Sequence, residues 1–245
     1  MRTANVPSDR DAHYASLAAE RREPRSERRR RQYESPGPLT VFKLGGSHAY
    51  APELRAWLKA IGRARGSAVI VPGGGPFADA VRLAQKRMGF DDRAAHDMAM
   101  MAMAQFGRAL MSFEPTLQLA ASRAAIRRAL MDKTIPVWAP QRMAGAANIP
   151  ESWELTSDSL AAWLAREIGA KRLVLIKHFQ LDGLMFEAED LVARGIVDPL
   201  FPRYLALSGA RAYLAPSGAA ARFARESPRL ALPQIATKEA AHGEA

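Results

Sequence analysis

A three-layer α/β sandwich around a central, mostly parallel sheet is the architecture the sequence predicts, on three observations. Short apolar, β-rich runs end in clustered glycines, first at Thr40-Val41-Phe42-Lys43-Leu44 before Gly45-Gly46-Ser47, then at Ala68-Val69-Ile70-Val71 before Pro72-Gly73-Gly74-Gly75. Each run is followed at once by apolar residues at helical spacing: Leu54, Trp57, Leu58 and Ile61 over 52–65, then Val81, Leu83 and Ala84 over 77–88. The alternation resumes in the second half of the chain, and helices are the usual crossovers between parallel strands.

The elements follow in order. Residues 1–37 are rich in Arg, Glu, Ser and Pro, carry Arg28-Arg29-Arg30-Arg31 and close on Pro36-Gly37-Pro38, so a disordered extension is expected there and the folded domain over 38–230. After the two strand–glycine–helix units, the Ala- and Met-rich stretch 91–130 is expected to form two helices. Thr134-Ile135-Pro136-Val137-Trp138 reads as a strand, Thr156-Ser157-Asp158-Ser159 as the cap opening a helix over 160–168, and Leu173-Val174-Leu175-Ile176 as a strand. Beyond 182 the pattern gives short helices near 187–194 and 200–207, a strand at Ala212-Tyr213-Leu214, a helix over 219–226, and a polar tail over 231–245.

Composition narrows the function. With 48% apolar residues in 245, the chain can bury one sizeable core. It has no cysteine, which excludes a disulfide framework, a thiolate nucleophile and a Cys-ligated metal. No apolar run reaches the roughly 20 residues that span a bilayer and the N-terminus is Arg-rich, so a soluble cytoplasmic protein without a membrane partner is expected. The formal charge of +10 suits nucleic acid or a polyanionic small molecule.

Glycine at the exit of a buried strand lets backbone N–H groups approach an anion, and the next helix N-terminus adds partial positive charge. Two such sites in tandem point to a phosphate-rich ligand, although each alone is also a plain tight turn. Neither matches a P-loop or a dinucleotide fingerprint. Lys43 at the first strand end can offset charge on a transferring phosphoryl group, and Lys177, after another buried run, would stand on the same sheet edge if the strands are parallel. A surface-paired lysine is the alternative for each. Asp158 reads equally as a helix cap, and His96, before the Met98-to-Met103 run, as a structural histidine. No His, Asp or Glu spacing reads as a metal cage, so no protein metal ligands are expected.

Taken in order, Lys43-Leu44-Gly45-Gly46-Ser47, Val71-Pro72-Gly73-Gly74-Gly75, Thr156-Ser157-Asp158-Ser159 and Leu175-Ile176-Lys177 resemble the amino-acid kinase superfamily, which includes uridylate and acetylglutamate kinases. Within it, Gly75-Pro76-Phe77-Ala78-Asp79, Ala95-His96-Asp97-Met98-Ala99-Met100 and Pro150-Glu151-Ser152-Trp153 look like the aminomethylfuran-methyl phosphate kinases of methanofuran biosynthesis, over about 41–201. The resemblance implies transfer of the ATP γ-phosphoryl group, with Mg²⁺, onto a small-molecule phosphate to give a diphosphate. It implies that Lys43 stabilises the transferred phosphoryl and Asp158 orients that lysine. Gly45, Gly46 and Ser47 would contact the ATP phosphates, with Lys177 and Asp182 beside the nucleotide. Gly74 and Gly75 would hold the acceptor phosphate, and His96, Trp153 and Ser157 would line the acceptor pocket.

Two departures from the family pattern stand out. His178-Phe179-Gln180-Leu181 lengthens the loop between Lys177 and Asp182-Gly183, and no Gly-Thr strand follows Pro228. Two other classes stay open: a non-catalytic homologue that binds ligand or partners a pathway enzyme, and an RNA-associated regulator using the arginine arm. Lys43 and Asp158 favour the kinase, so nucleic acid is not the expected partner. The Met- and Ala-rich helices within 91–130 predict a homo-oligomer.

Overall fold

The computed structural model describes residues 37–178, 183–226 and 232–237. An eight-stranded sheet runs in the order β3-β4-β2-β1-β5-β7-β8-β6. Its strands are β1 Thr40–Leu44, β2 Ala68–Pro72, β3 Leu117–Ala120, β4 Ile135–Trp138, β5 Arg172–Lys177, β6 Met185–Glu187, β7 Arg211–Pro216 and β8 Gln234–Ala236. All pairings are parallel except β7 with β8. The helices that matter for the site are α1 Leu54–Ile61, α2 Gly75–Met88, α3 Asp92–Met111, α4 Arg123–Met131, α5 Gln141–Ala144 and α6 Ser157–Ile168. Three more, α7 Ala188–Ala193, α8 Phe201–Ser208 and α9 Ala220–Glu226, complete the covering layers. None of the described helices is long and apolar enough to cross a membrane.

Strand parity divides the core into two layers. Side chains alternate between the faces of a strand, so Val41, Val69, Val71, Leu173 and Leu175 face Leu160 and Leu164 of α6. Phe42, Leu44, Ile70, Val174 and Ile176 join Trp57, Leu58 and Ile61 of α1 on the other side. Because β1, β2 and β5 are buried on both faces, they read as continuous apolar runs rather than as alternating ones. Burying one such leucine contributes about 1.5–3 kcal/mol.

The register aligns the strand ends that carry the site. Leu44 stands beside Pro72 of β2 and Ile176 of β5, which brings the two glycine turns and Lys177 to one edge of the sheet.

Three strands depart from the sequence expectation. The 91–130 stretch holds α3 and the start of α4, but β3 lies between them; it is an edge strand with one neighbour, an exposed Gln118 and no β-branched residue, so propensity does not mark it. β6 and β8 are three-residue strands held by tertiary hydrogen bonds, Gln234 N–H to the Leu184 carbonyl at 2.9 Å and Leu214 N–H to the Pro233 carbonyl at 2.8 Å. β8 therefore lies within the stretch read as a polar tail, anchored by buried Ile235.

Candidate active site

Lys43 shares the parity of Val41, so its side chain leaves β1 on the α6 face. Lys177 shares the parity of Leu173 and Leu175 on β5 and emerges on that same face. The first turn of α6 lies opposite, and Asp158 closes the gap. Its Oδ1 is 2.9 Å from Lys43 Nζ, and its Oδ2 accepts a hydrogen bond from Lys177 Nζ at 2.7 Å. Lys177 also donates to the Ile196 carbonyl at 2.5 Å. The Lys43 contact is an ion pair without an aligned hydrogen bond, for Oδ1 is buried with no such partner.

All three charges are nearly out of water, with side chains 4–14% exposed. Burial pushes Lys43 down to about 8, against the pull of Asp158. For Asp158, burial works to raise the value, but Lys177 and Lys43 outweigh it and the carboxyl titrates below its ordinary range. The cluster keeps one net positive charge, two ammonium groups sharing one carboxylate. His48, buried behind the first glycine turn, adds none: burial, then Lys43 and His178, hold it down to about 4.

The first turn of α6 is fixed from outside the helix. Asp198, in the segment before α8, accepts hydrogen bonds through Oδ2 from Thr156 N–H at 3.1 Å, Thr156 Oγ1 at 2.8 Å and Ser159 N–H at 3.0 Å, and through Oδ1 from Ser159 Oγ. Burial raises its pKa, and nearby Asp158 acts in the same direction. Asp198 thus does the capping that a residue at Thr156 would ordinarily do.

The glycine turns pack against each other. A Cβ on Gly46 would stand 2.4 Å from Gly75 N, and one on Gly73 would stand 2.4 Å from Gly46 N, so no larger residue fits at either place. Gly75 opens α2 at φ +56 against the Phe106 ring, a conformation that favours glycine. After the first turn, backbone bonding begins with His48 N–H to the Gly45 carbonyl at 3.0 Å, which leaves the Gly46 and Ser47 N–H groups unused within the turn.

A cavity of about 400 Å³ joins these parts, lined by Lys43, Gly46, Ser47, Gly74, Gly75, Asp158 and Lys177. Its lining also includes His96, Met100 and Met103 of α3, with Trp153 and Arg82. Trp153 is braced there: its Nε1–H donates to Gln85 Oε1 at 2.7 Å, Gln85 donates to Asp92 at 2.8 Å, and the Arg82 guanidinium lies 4.3 Å from the indole centroid.

The model of the Amino acid kinase family matches residues 38–186. The chain belongs to the amino acid kinase family. It is 24% identical over 196 residues to the (5-(aminomethyl)furan-3-yl)methyl phosphate kinase of Methanocaldococcus jannaschii, covering 72% of this chain and 87% of that protein. Among solved structures it superposes on uridylate kinase from Archaeoglobus fulgidus with a TM-score of 0.61 at 17% identity, covering 80% of this chain and 99% of that one. On UMP kinase from Ureaplasma parvum the TM-score is 0.62 at 14% identity, over 80% and 98% of the two chains. The relatives and the fold are those of phosphotransferases.

In this member of the family the residues singled out from sequence fall largely in one place. Lys43, Gly46, Ser47, Gly74, Gly75, His96, Trp153, Ser157, Asp158 and Lys177 all line the cavity. Gly45 sits behind it, its N–H bonded to the Ile176 carbonyl at 3.3 Å. Asp182 lies outside the described residues. One local expectation is corrected: Asp158 caps no helix N–H groups, because it lies inside α6 and both lysines compete for its carboxylate. Asp198, Arg82 and Gln85 were not found from sequence, for none belongs to a motif.

Proposed function

We propose that the chain is an ATP-dependent kinase that phosphorylates the phosphate group of an aminomethylfuran-methyl phosphate, or a near analogue, to the diphosphate. The observation that carries this reading is the buried Lys43–Asp158–Lys177 cluster opening into a cavity edged by both glycine turns. The similarity to the Methanocaldococcus jannaschii kinase supports the choice of acceptor.

The residues fit a polyphosphate. Substituting either Gly46 or Gly73 would close the turns on each other, and no backbone bond within the turn uses the Gly46 and Ser47 N–H groups. Among the described residues no group of three His, Asp or Glu side chains could hold a metal, so Mg²⁺ would be held by the phosphates themselves. ATP would supply the γ-phosphoryl group, which an acceptor phosphate oxygen takes as ADP leaves.

The chain's own contribution is positioning and charge. Phosphoryl transfer leaves little covalent work for a protein, and preorganised cations supply most of the stabilisation. Lys43 holds its ammonium where charge gathers on the transferring oxygens, and Asp158 keeps it there. Lys177 and the first glycine turn serve the nucleotide side, with Gly45 supporting that turn. Gly74 and Gly75 hold the acceptor phosphate at the start of α2, and His96, Trp153 and Ser157 receive the rest of the acceptor.

Calorimetric titration with ATP·Mg²⁺ tests the nucleotide half of this reading. Micromolar binding that weakens at least tenfold in Lys43→Ala is the expected result. Absence of heat at millimolar ATP would overturn it and leave a non-catalytic binding homologue.

A further inference from the structure

Arg82 lines the cavity together with Lys43 and Lys177, yet the transfer described above gives it no task. The cavity follows the start of α2, where Gly75, Pro76, Ala78 and Asp79 line it as well. Helical side chains lean toward the N-terminus of their helix. Arg82 does so, for its Nη1 donates to Oδ1 of Asp79, one turn back, at 3.2 Å. The guanidinium is thereby carried toward the glycine turn from which α2 starts.

Two contacts hold that group, and neither exhausts its donors. Its central carbon lies over the Trp153 ring, 4.3 Å from the centroid, a contact made through the face of the cation. The indole is itself fixed, its N–H given to Gln85, which in turn donates to Asp92. A guanidinium carries five N–H donors, and Asp79 takes one; no other hydrogen bond reaches Arg82 among the described residues. Asp79 orients the cation more than it cancels it, because its side chain is 74% exposed and water screens such a pair. Glu151, two positions before Trp153, is taken by Arg93 at 3.5 Å. What remains is a planar fork of N–H groups with its rotamer already fixed, which matches two oxygens of a single phosphate.

We propose that Arg82 grips two oxygens of the acceptor phosphate and turns the third toward the γ-phosphorus of ATP, with Trp153 as a positioning residue that acts through Arg82. This rests on the acceptor reading given above. In the transfer the third oxygen forms the new P–O bond while the bond from the γ-phosphorus to the bridging oxygen breaks, and ADP leaves with that electron pair. Arg82 exchanges no proton.

The test compares calorimetric affinities, without nucleotide, for (5-(aminomethyl)furan-3-yl)methyl phosphate and for its parent alcohol, because their ratio isolates what the phosphate contributes. Arg82→Met is expected to cut the ratio roughly 10- to 100-fold by weakening the ester alone, with ATP·Mg²⁺ affinity held within about twofold. Arg82→Lys, which keeps the charge without the fork, should recover part of the loss. Trp153→Leu removes a side chain whose N–H is already engaged, and should cut the ratio about 3- to 10-fold; combined with Arg82→Met it should cut it no further than Arg82→Met alone. A ratio unchanged in Arg82→Met, or a loss shared with the alcohol or with ATP, would overturn the proposal, and additive losses in the double variant would remove the role of Trp153. Phosphorus NMR of wild type with the ester and ATP·Mg²⁺ separates the two claims. A ratio lost in Arg82→Met with no diphosphate formed keeps the grip of Arg82 and removes the kinase reading, whereas diphosphate formed with the ratio unchanged does the reverse.

Discussion

A carboxylate held between two ammonium groups makes the members of the cluster unequal in what their removal does. Asp158→Ala would leave Lys43 and Lys177 buried together without a counter-charge, and breaking a buried pair in this way costs about 3–5 kcal/mol. Lys43→Met leaves Asp158 still bonded to Lys177, so denaturant unfolding should show a clearly smaller loss. Both variants should lower kcat about 100-fold or more. The pH behaviour follows from the Lys43 value of about 8. In the proposed reaction the protonated amine is the working form, so kcat/KM for ATP should fall as pH rises through about 8, with the free protein's group in control. Stability moves the other way: between about 8 and the ordinary 10.5 the unfolded chain binds the proton that the folded one has released, so Lys43's own contribution to stability rises with pH. Comparing wild type with Lys43→Met from pH 7 to 10 checks both signs. Lys43 and Lys177 were legible in the sequence because a charged residue at the end of an apolar strand is conspicuous. The job of Asp158 was half legible, since a cap and a bridge share the same residue at a helix start.

At the scale of elements, α6 aims Asp158 and Asp198 aims α6. Asp198→Asn keeps the size but lacks the second acceptor oxygen, which leaves the Ser159 hydroxyl or Thr156 without its partner. Small displacements of a reacting group cost up to about 100-fold, so kcat should drop roughly 10- to 100-fold while KM for ATP stays within about twofold. Equal losses in kcat and in ATP binding would mean that Asp198 only supports the fold. The glycine turns make a second prediction: Gly46→Ala forces a Cβ onto the α2 start and should destabilise by about 1–3 kcal/mol as well as weaken nucleotide binding. The turns and the β1 and β5 strands could be read from sequence because continuous apolar runs and clustered glycines are local signals. Asp198 could not be, because its partners lie 39 and 42 positions away and a turn aspartate before Pro199 has no signature of its own. β3, β6 and β8 were missed for the same reason, being strands that exist through neighbours rather than through propensity.

For the molecule as a whole, the sheet order places β1 between β2 and β5, so the strand bearing Lys43 is flanked by those bearing the second glycine turn and Lys177. The family and the layered fold were thus within reach of motif order alone, whereas the bracing of Trp153 by Arg82 and Gln85 required the tertiary structure. Met98 and Met101 are 38% and 52% exposed on α3, the helix expected to carry self-association. Sedimentation should show an oligomer that the double change Met98→Glu and Met101→Glu dissociates, and a monomeric wild type would contradict that expectation. Phosphoryl transfer to a phosphate acceptor through Lys43 is the reaction proposed for the whole molecule. Phosphorus NMR of the purified chain with ATP·Mg²⁺ and (5-(aminomethyl)furan-3-yl)methyl phosphate tests it most directly. Coupled diphosphate signals with stoichiometric ADP are expected for wild type and neither for Lys43→Ala; an acceptor resonance unchanged in the presence of wild type, or the same diphosphate from both proteins, would rule out transfer through Lys43.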